Sequence, residues 1–235
     1  MIRHELVGTA RAPGQGGELR CFHHDRDFTI YVDGTELMST RVYGSEEALA
    51  ELALARFGQE DARRVLVGGL GMGFTLARAL ALTGPEAVVD VAELVPEVVT
   101  WNRELFGHCA DHPLRDRRTN LIVGDVGHVI ADARGCYDVI LLDVDNGPEG
   151  LLRASNDLLY DARGLATARR ALRPDGVLAV WSAHDNHAFE QRLRQGGFHP
   201  VRHRVRARRT KGPWRTIWVA TTGAVPTATR SVARR

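Results

Sequence analysis

Apolar and polar positions alternate with a period of two early in the chain, then gather into short β-branched blocks separated by helix-period segments after residue 63. Glu18-Leu19-Arg20-Cys21-Phe22 and Phe28-Thr29-Ile30-Tyr31-Val32 carry the strand pattern, and Asp33-Gly34 is a hairpin turn into Thr35-Glu36-Leu37-Met38-Ser39. These runs predict a small antiparallel β appendage over residues 1–44. Ser45-Glu46-Glu47 then opens a helix, with Ser45 as a hydroxyl N-cap and acids at the positive end of the helix dipole. Its apolar face is Ala48, Leu49, Leu52, Ala53 and Phe57, and Gly58 ends it.

From Arg64 onward strands and helices take turns, the pattern of a parallel sheet covered on both faces. The predicted strands are 64–68, 87–92, 119–124, 137–143 and 176–182, and the helices 74–83, 95–106, 126–132, 156–172 and 186–195. Strands 198–206 and 214–222 follow with no helix between them, which predicts a terminal antiparallel hairpin on the sheet. The expected organisation is therefore an α/β domain over 45–223 with a β appendage before it. Residues 224–235 lack periodicity and are expected to form a frayed tail.

With 235 residues, 44% of them hydrophobic, the chain can bury a full α/β core. A formal charge of +2 provides no global field toward nucleic acid or a membrane. Cys21, Cys109 and Cys136 form neither a C-x-x-C pair nor an even framework, which favours free thiols in a reducing compartment. Met1 to Glu5 contain no apolar core of signal-peptide length, and no apolar run approaches 18 residues. A cytoplasmic protein without a membrane segment is the expectation.

The chemistry centres on Val65-Leu66-Val67-Gly68-Gly69-Leu70-Gly71-Met72-Gly73-Phe74, a buried strand breaking through four glycines into a helix. Glycine allows a tight turn there, a close approach of ligand to backbone, and helix packing on the strand. In a doubly wound sheet the ligand lies across the carboxyl ends of the strands, so acids at those ends are the candidates. Glu93 ends the second strand, twenty residues after Gly73, the spacing at which a carboxylate accepts the ribose hydroxyls of a nucleoside. Asp125 ends the third, placed to accept from the exocyclic amine of adenine, and Asp143 ends the fourth, with Asp145 two residues on. The dinucleotide fingerprint G-x-G-x-x-G is absent, because counting from Gly69 its third glycine would fall at Phe74. S-adenosylmethionine or its decarboxylated form fits better than NAD.

Gly68-Gly69-Leu70-Gly71-Met72-Gly73, Glu93-Leu94-Val95, Gly124-Asp125-Val126 and Asp143-Val144-Asp145-Asn146-Gly147-Pro148, after a Gly44-Ser45-Glu46-Glu47 helix start, together resemble the spermidine synthase family over roughly residues 28 to 182. The resemblance implies a Rossmann-like, class I methyltransferase sheet in which Gly69, Gly71, Gly73, Glu93, Leu94, Asp125 and Val126 hold the nucleoside. It further implies that Asp143 takes the proton from an attacking amine, and that the chain pairs as a homodimer through its N-terminal strands. The chain departs from the family pattern at several places. Gly71 stands where the family has an aspartate for the cationic propylamine end, and Ser45-Glu46-Glu47 where it has Tyr-His/Gln-Glu. The Asp-Ser-x-Asp-Pro element is shortened, leaving Asp145 as a substitute for the amine-binding acid, and Lys211-Gly212-Pro213-Trp214 is a remnant of a late Tyr-Pro-x-Gly loop.

A carboxylate at position 71 would repel the carboxylate of intact S-adenosylmethionine, whereas a glycine with free helix-start amides would accept it. Transfer of a methyl or amino-carboxypropyl group to a small amine is therefore the main expectation. Aminopropyl transfer from the decarboxylated donor and a non-catalytic nucleotide-binding subunit are the alternatives. Asp143 and Asp145 are the candidate catalytic acids, and Glu46, Asp145 and His184 the candidate acceptor contacts.

No metal is expected. Asp143-x-Asp145-x-Gly147 fails as a calcium loop, having glycine at the third ligand position and Ala154 at the twelfth. Cys21, His23, His24 and Asp25 alternate faces along a strand and do not converge. Asp185 is expected to cap the helix after the fifth main strand. Arg202, Arg204, Arg206 and Arg208 share one face of an expected edge strand, where charge prevents edge pairing. The absence of interleaved aromatics argues against a nucleic-acid site there.

Overall fold

The computed structural model describes residues 5–13, 17–58, 63–144 and 157–223. Four strands at the start, β1 (Glu5–Arg11), β2 (Glu18–His24), β3 (Asp27–Val32) and β4 (Thr35–Ser39), form an antiparallel sheet in chain order. Asp33 and Gly34 turn β3 into β4 with φ of 46° and 83°, the paired left-handed conformations that an Asp-Gly hairpin supplies. β1 is an addition to the expected strands. Its register slips between Leu6 and Gly8, and that bulge removes the alternation that would have marked it.

Helix α1 (Gly44–Leu54) leads to the main sheet, whose order is β10-β11-β9-β8-β5-β6-β7. The parallel strands are β5 (Arg64–Gly68), β6 (Val88–Glu93), β7 (Thr119–Val123), β8 (Tyr137–Leu142) and β9 (Leu172–Ser182). β10 (His199–Arg208) and β11 (Lys211–Thr221) form the expected hairpin, with β11 antiparallel to β9 and β10 at the edge. The connecting helices are α2 (Phe74–Leu82), α3 (Pro96–Trp101), α4 (Val126–Asp132), α5 (Asp157–Tyr160), α6 (Ala162–Ala171) and α7 (His187–Gln195). The fold is α/β, as expected.

Alternate residues of the buried strands feed opposite cores. Val65, Val67, Leu141 and Ile217 pack with Leu49 of α1 and Leu76 of α2, while Leu66, Ile140, Leu142 and Trp218 pack with Ile130, Leu165 and Phe189 of α4, α6 and α7. A third core ties the N-terminal sheet to α2 and α3 through Leu19, Cys21, Phe28, Ile30, Met72, Phe74, Val98 and Trp101. Cys21 is fully buried there and His23 stacks on Phe28 at 4.5 Å, so these side chains serve packing.

Several local expectations are corrected. Tyr43, not Ser45, occupies the N-cap of α1 without a side-chain bond, and Ser45 Oγ donates instead to Glu46 Oε2 at 2.8 Å. The helix expected over 95–106 is α-helical only to Trp101 and continues as a π-helical turn over Asn102–Phe106. Asp161 caps α6 by accepting from the Gly164 amide at 2.7 Å and splits the helix expected over 156–172. Asn186 caps α7, leaving Asp185 to pair with Arg202 at 2.8 Å. On β10, the guanidinium carbons of Arg204 and Arg206 lie 5.0 and 3.8 Å from the Trp214 ring centroid, so an aromatic does accompany the basic strip, supplied by the neighbouring strand. The expected tail, 224–235, lies outside the described residues. Among those residues, no helix is long and apolar enough to cross a membrane.

Candidate functional site

From β5 the sheet grows one way through β6 and β7 and the other way through β8 and β9, so its crevice opens at the carboxyl ends of β5 and β8. The glycine turn leaves β5 at that point and Asp143 leaves β8 beside it. Backbone hydrogen bonds fix the junction: Gly69 N donates to Ala92 O at 2.9 Å, and Asp143 N to Gly68 O at 2.9 Å. Gly69 has φ of 92°, and a Cβ there would run into the Asp143 carbonyl oxygen. The strand end and the turn can therefore lie together only with glycine at 69.

Glu93 closes β6 and faces this turn, 8% exposed. Its Oε2 accepts from the amides of Leu70 (3.0 Å) and Gly71 (3.4 Å), and its Oε1 from the Val95 amide (2.9 Å). Burial pushes the Glu93 carboxyl upward, and these amides pull it back. Two amides of the turn, those of Leu70 and Gly71, thus serve Glu93 and are not free for a ligand's carboxylate. The first intrahelical bond of α2 runs from Ala77 N to Gly73 O (2.9 Å), which leaves the amides of Phe74 to Leu76 at the helix start. Asp125 is the N-cap of α4, accepting from Gly127 N at 2.8 Å, while remaining on the cleft wall.

The cleft is continuous across two cavities. One, about 770 Å³ with its open mouth, is lined by Gly69, Gly71, Glu93, Leu94, Asp125, Val126 and Asp143, with Ala12, Leu19, Leu37 and Met38 contributed by the N-terminal segment. The other, about 590 Å³, is lined by Glu46, Gly73, Thr75, Asp143 and Trp181, among others. Leu37, Met38, Gly71 and Asp143 belong to both. Met38 reaches over the turn, its Sδ 3.2 Å from where a Gly71 Cβ would stand.

Two acids face each other in the second cavity. Thr75 Oγ1 lies 2.5 Å from Asp143 Oδ2 and 3.2 Å from the Glu46 carbonyl oxygen. Burial pushes the Asp143 carboxyl up to about 6 against the stabilising Thr75 hydroxyl. Burial and then the charge of Asp143 push Glu46 up to about 8. Burial thus favours the neutral form of both carboxyls, and the Thr75 hydroxyl offsets part of that effect at Asp143.

The structure brings together Gly69, Gly71, Glu93, Leu94, Asp125, Val126 and Asp143 on one wall and adds Gly73 and Glu46 on the other. His184 does not join them: its side chain is exposed and lines neither cavity, and its amide donates to Ser182 Oγ at 3.2 Å. Asp145, expected as a second acid, lies outside the described residues. Thr75, Trp181, Leu37 and Met38 were not singled out in the sequence. A hydroxyl two residues after the last turn glycine offered a signal for Thr75. Met38 offered none, because it arrives from a different sheet.

Residues 44–194 match the model of the spermine/spermidine synthase domain. Putrescine N-methyltransferase 1 of Nicotiana tabacum is 32% identical over 119 residues, 50% of this chain and 30% of that one. Polyamine aminopropyltransferase 2 of Bacillus cereus is 27% identical over 168 residues, 66% of this chain and 42% of that one. These alignments span less than half the length of either curated relative. Among solved structures, spermidine synthase from Thermotoga maritima superposes with a TM-score of 0.74 at 17% identity, covering 96% of this chain and 76% of that one. A spermidine synthase in complex with the transition-state analogue AdoDATO gives 0.73 at 17% identity, with the same coverage.

Proposed function

Because this chain belongs to the spermine/spermidine synthase domain family, we propose that it transfers an alkyl group from the sulfonium of S-adenosylmethionine to a small amine. The observation that carries the proposal is the placement of Glu93, Asp125 and Asp143 on one cleft around the glycine turn, with Asp143 shared between its two cavities. Glu93 and Asp125 offer acceptors for ribose hydroxyls and an exocyclic amine, Leu94 and Val126 offer apolar walls, and Gly69 and Gly71 allow close backbone approach.

The sulfonium supplies an electrophilic carbon and a neutral thioether leaving group. The chain's part is to present the acceptor as a free amine in line with that carbon. An alkylamine with a pKa of about 10.4 arrives protonated. Asp143, ionised and buried at the cavity junction, is positioned to take its proton. The nitrogen lone pair forms the N–C bond as the C–S bond breaks, the C–S electrons stay on sulfur, and the proton rests on Asp143. Glu46 holds the acceptor from the facing wall.

Gly71 favours the intact donor. No carboxylate stands there to bind a propylammonium, and the Met38 thioether fills the space above it. The Asp143–Thr75–Glu46 cluster favours a catalytic reading over a non-catalytic subunit, since it buries two acids with raised pKa values beside the cleft. The wider reading is of a cytoplasmic enzyme pairing through its N-terminal strands, where Leu6 on edge strand β1 is 49% exposed.

Calorimetric titration with S-adenosylmethionine, its decarboxylated form and methylthioadenosine, followed by mass spectrometry on an amine panel, tests this. Tightest binding is expected for the intact donor, with a mass gain on the acceptor. Preference for the decarboxylated donor would turn the reading to aminopropyl transfer, and binding without turnover to a non-catalytic subunit. Failure to bind any of the three would end it.

A further inference from the structure

The acceptor-side cavity is lined by two acids, and an arginine outside its lining stands beside the indole that walls it. Glu46 and Asp143 stand on its wall with Trp181. Arg215 lies on β11 two residues before Ile217, the pairing partner of Trp181, so its side chain leaves the sheet on the Trp181 face. It sits one position beyond the Thr216–Ser182 pair, at the carboxyl-end rim where the cleft opens. Its guanidinium is 5.6 Å from the Trp181 ring centroid.

Arg215 is half-buried, yet among the described residues no carboxylate lies within ion-pair distance of it. Among the described residues its guanidinium makes one hydrogen bond, to the Trp214 carbonyl at 3.3 Å, out of the five N–H groups it carries. Neighbouring arginines differ: Arg209 meets Glu47 at 2.6 Å and Arg202 meets Asp185 at 2.8 Å. Burial disfavours the charged guanidinium, and Glu46, where ionised, would favour it without touching it. A half-buried guanidinium with free donors, stacked beside the ring that walls the cavity, is a carboxylate site in want of its carboxylate.

Resting on the transferase reading above, we propose that the acceptor is a small amino carboxylate, its amine held at Glu46 and Asp143 and its carboxylate by Arg215 across the Trp181 ring. A diamine would bring its second ammonium toward the guanidinium, where like charges in a partly dry site repel. The indole offers an apolar wall for the methylenes between the two ends. In the transfer the amine lone pair forms the N–C bond, the C–S electrons go to sulfur and the proton goes to Asp143. Arg215 changes no bond and is a positioning residue.

A matched pair of probes decides between the two acceptor classes. The full chain with S-adenosylmethionine is assayed for release of the thionucleoside product, using 4-aminobutanoate against 1,4-diaminobutane and 5-aminopentanoate against 1,5-diaminopentane. The amino carboxylate is expected to have the higher kcat/KM in each pair. Arg215→Met, which keeps the alkyl stem, should raise KM for the amino carboxylate by roughly ten- to hundredfold with little change in kcat, and should raise kcat/KM for the diamines. Arg215→Glu should reverse the preference. Wild-type preference for the diamines, turnover of neither class, or an unchanged KM in Arg215→Met would each overturn the proposal, and the wild-type comparison stands alone if the variants do not fold. Methylthioadenosine calorimetry separates this failure from a deeper one: a nucleoside that binds leaves the transferase reading standing, and one that does not removes both.

Discussion

The hydroxyl of Thr75 lies 2.5 Å from Asp143 Oδ2, a shorter contact than its 3.2 Å approach to the Glu46 carbonyl oxygen. A hydroxyl has one proton to give, and the nearer, charged acceptor takes it. Thr75 therefore favours ionised Asp143 and opposes the burial that raises its pKa to about 6. Thr75→Val removes that donor while keeping the shape. The acid limb of the kcat/KM pH profile should move to higher pH, Thr75→Ser should restore it, and methylthioadenosine affinity should stay within about threefold in both. A limb that does not move would mean that Asp143 is not the group titrating in turnover.

Asp143 itself sits where the two cavities meet, and its backbone amide is tied to Gly68. Asp143→Asn retains the side-chain shape and can still accept from Thr75, but it cannot take up a proton. Turnover should fall by about 10²-fold or more, with nucleoside affinity nearly unchanged by calorimetry. Parallel loss of affinity and rate would instead make Asp143 a donor-binding residue.

The scaffold of this site was legible because its strands are buried on both faces and so read as unbroken apolar runs. Val65-Leu66-Val67 located β5 with the observed bounds, 64–68, and the glycines after it announced the turn. Glu93, Asp125 and Asp143 were legible because strand ends in such a sheet all point toward one crevice. What stayed hidden depends on contacts between distant segments. Met38 reaches the turn only because the third core docks the N-terminal sheet on α2 and α3, and nothing local to β4 reports that docking. Arg215 carries no signal of its own in the sequence, and only the β9–β11 register places it on the Trp181 face. Asp185 and Asn186 are adjacent and both competent caps, and the ion pair to Arg202 draws Asp185 away.

Glu46 and Asp143 also set a pH dependence of stability. Both carboxyls are raised in the folded protein, to about 8 and about 6, above ordinary carboxylate values of roughly 4. The native state therefore binds more protons than the unfolded state in that interval, and stability falls as pH rises through it. The thermal midpoint of the ligand-free protein should decline between about pH 5 and pH 8 for this reason. Glu46→Gln keeps the side-chain shape without the ionisation, and differential scanning calorimetry should show a flatter decline across the same interval. An identical slope in the variant would show that Glu46 ionises in the native state as easily as in the unfolded chain.

On the proposed transferase reading Gly71 sets the donor preference, and an added carboxylate should change it. The residue has φ of 48°, a left-handed conformation that aspartate tolerates better than most side chains. A Cβ there would meet only the Met38 thioether, at 3.2 Å, and a flexible thioether can withdraw. Gly71→Asp should thus fold, and its carboxylate would lie beside Glu93 and the amides of the turn, on the wall of both cavities. The carboxylate of intact S-adenosylmethionine would then face a like charge, whereas the propylammonium of the decarboxylated donor would gain a partner. Calorimetry should show weaker binding of the intact donor and stronger binding of the decarboxylated one, a reversal of about tenfold or more if the pair is as well shielded from water as Glu93 is. Gly71→Asp combined with Met38→Ala makes room for the new side chain and should strengthen the reversal. An unchanged order of the two donors in both variants would place the donor's tail away from Gly71.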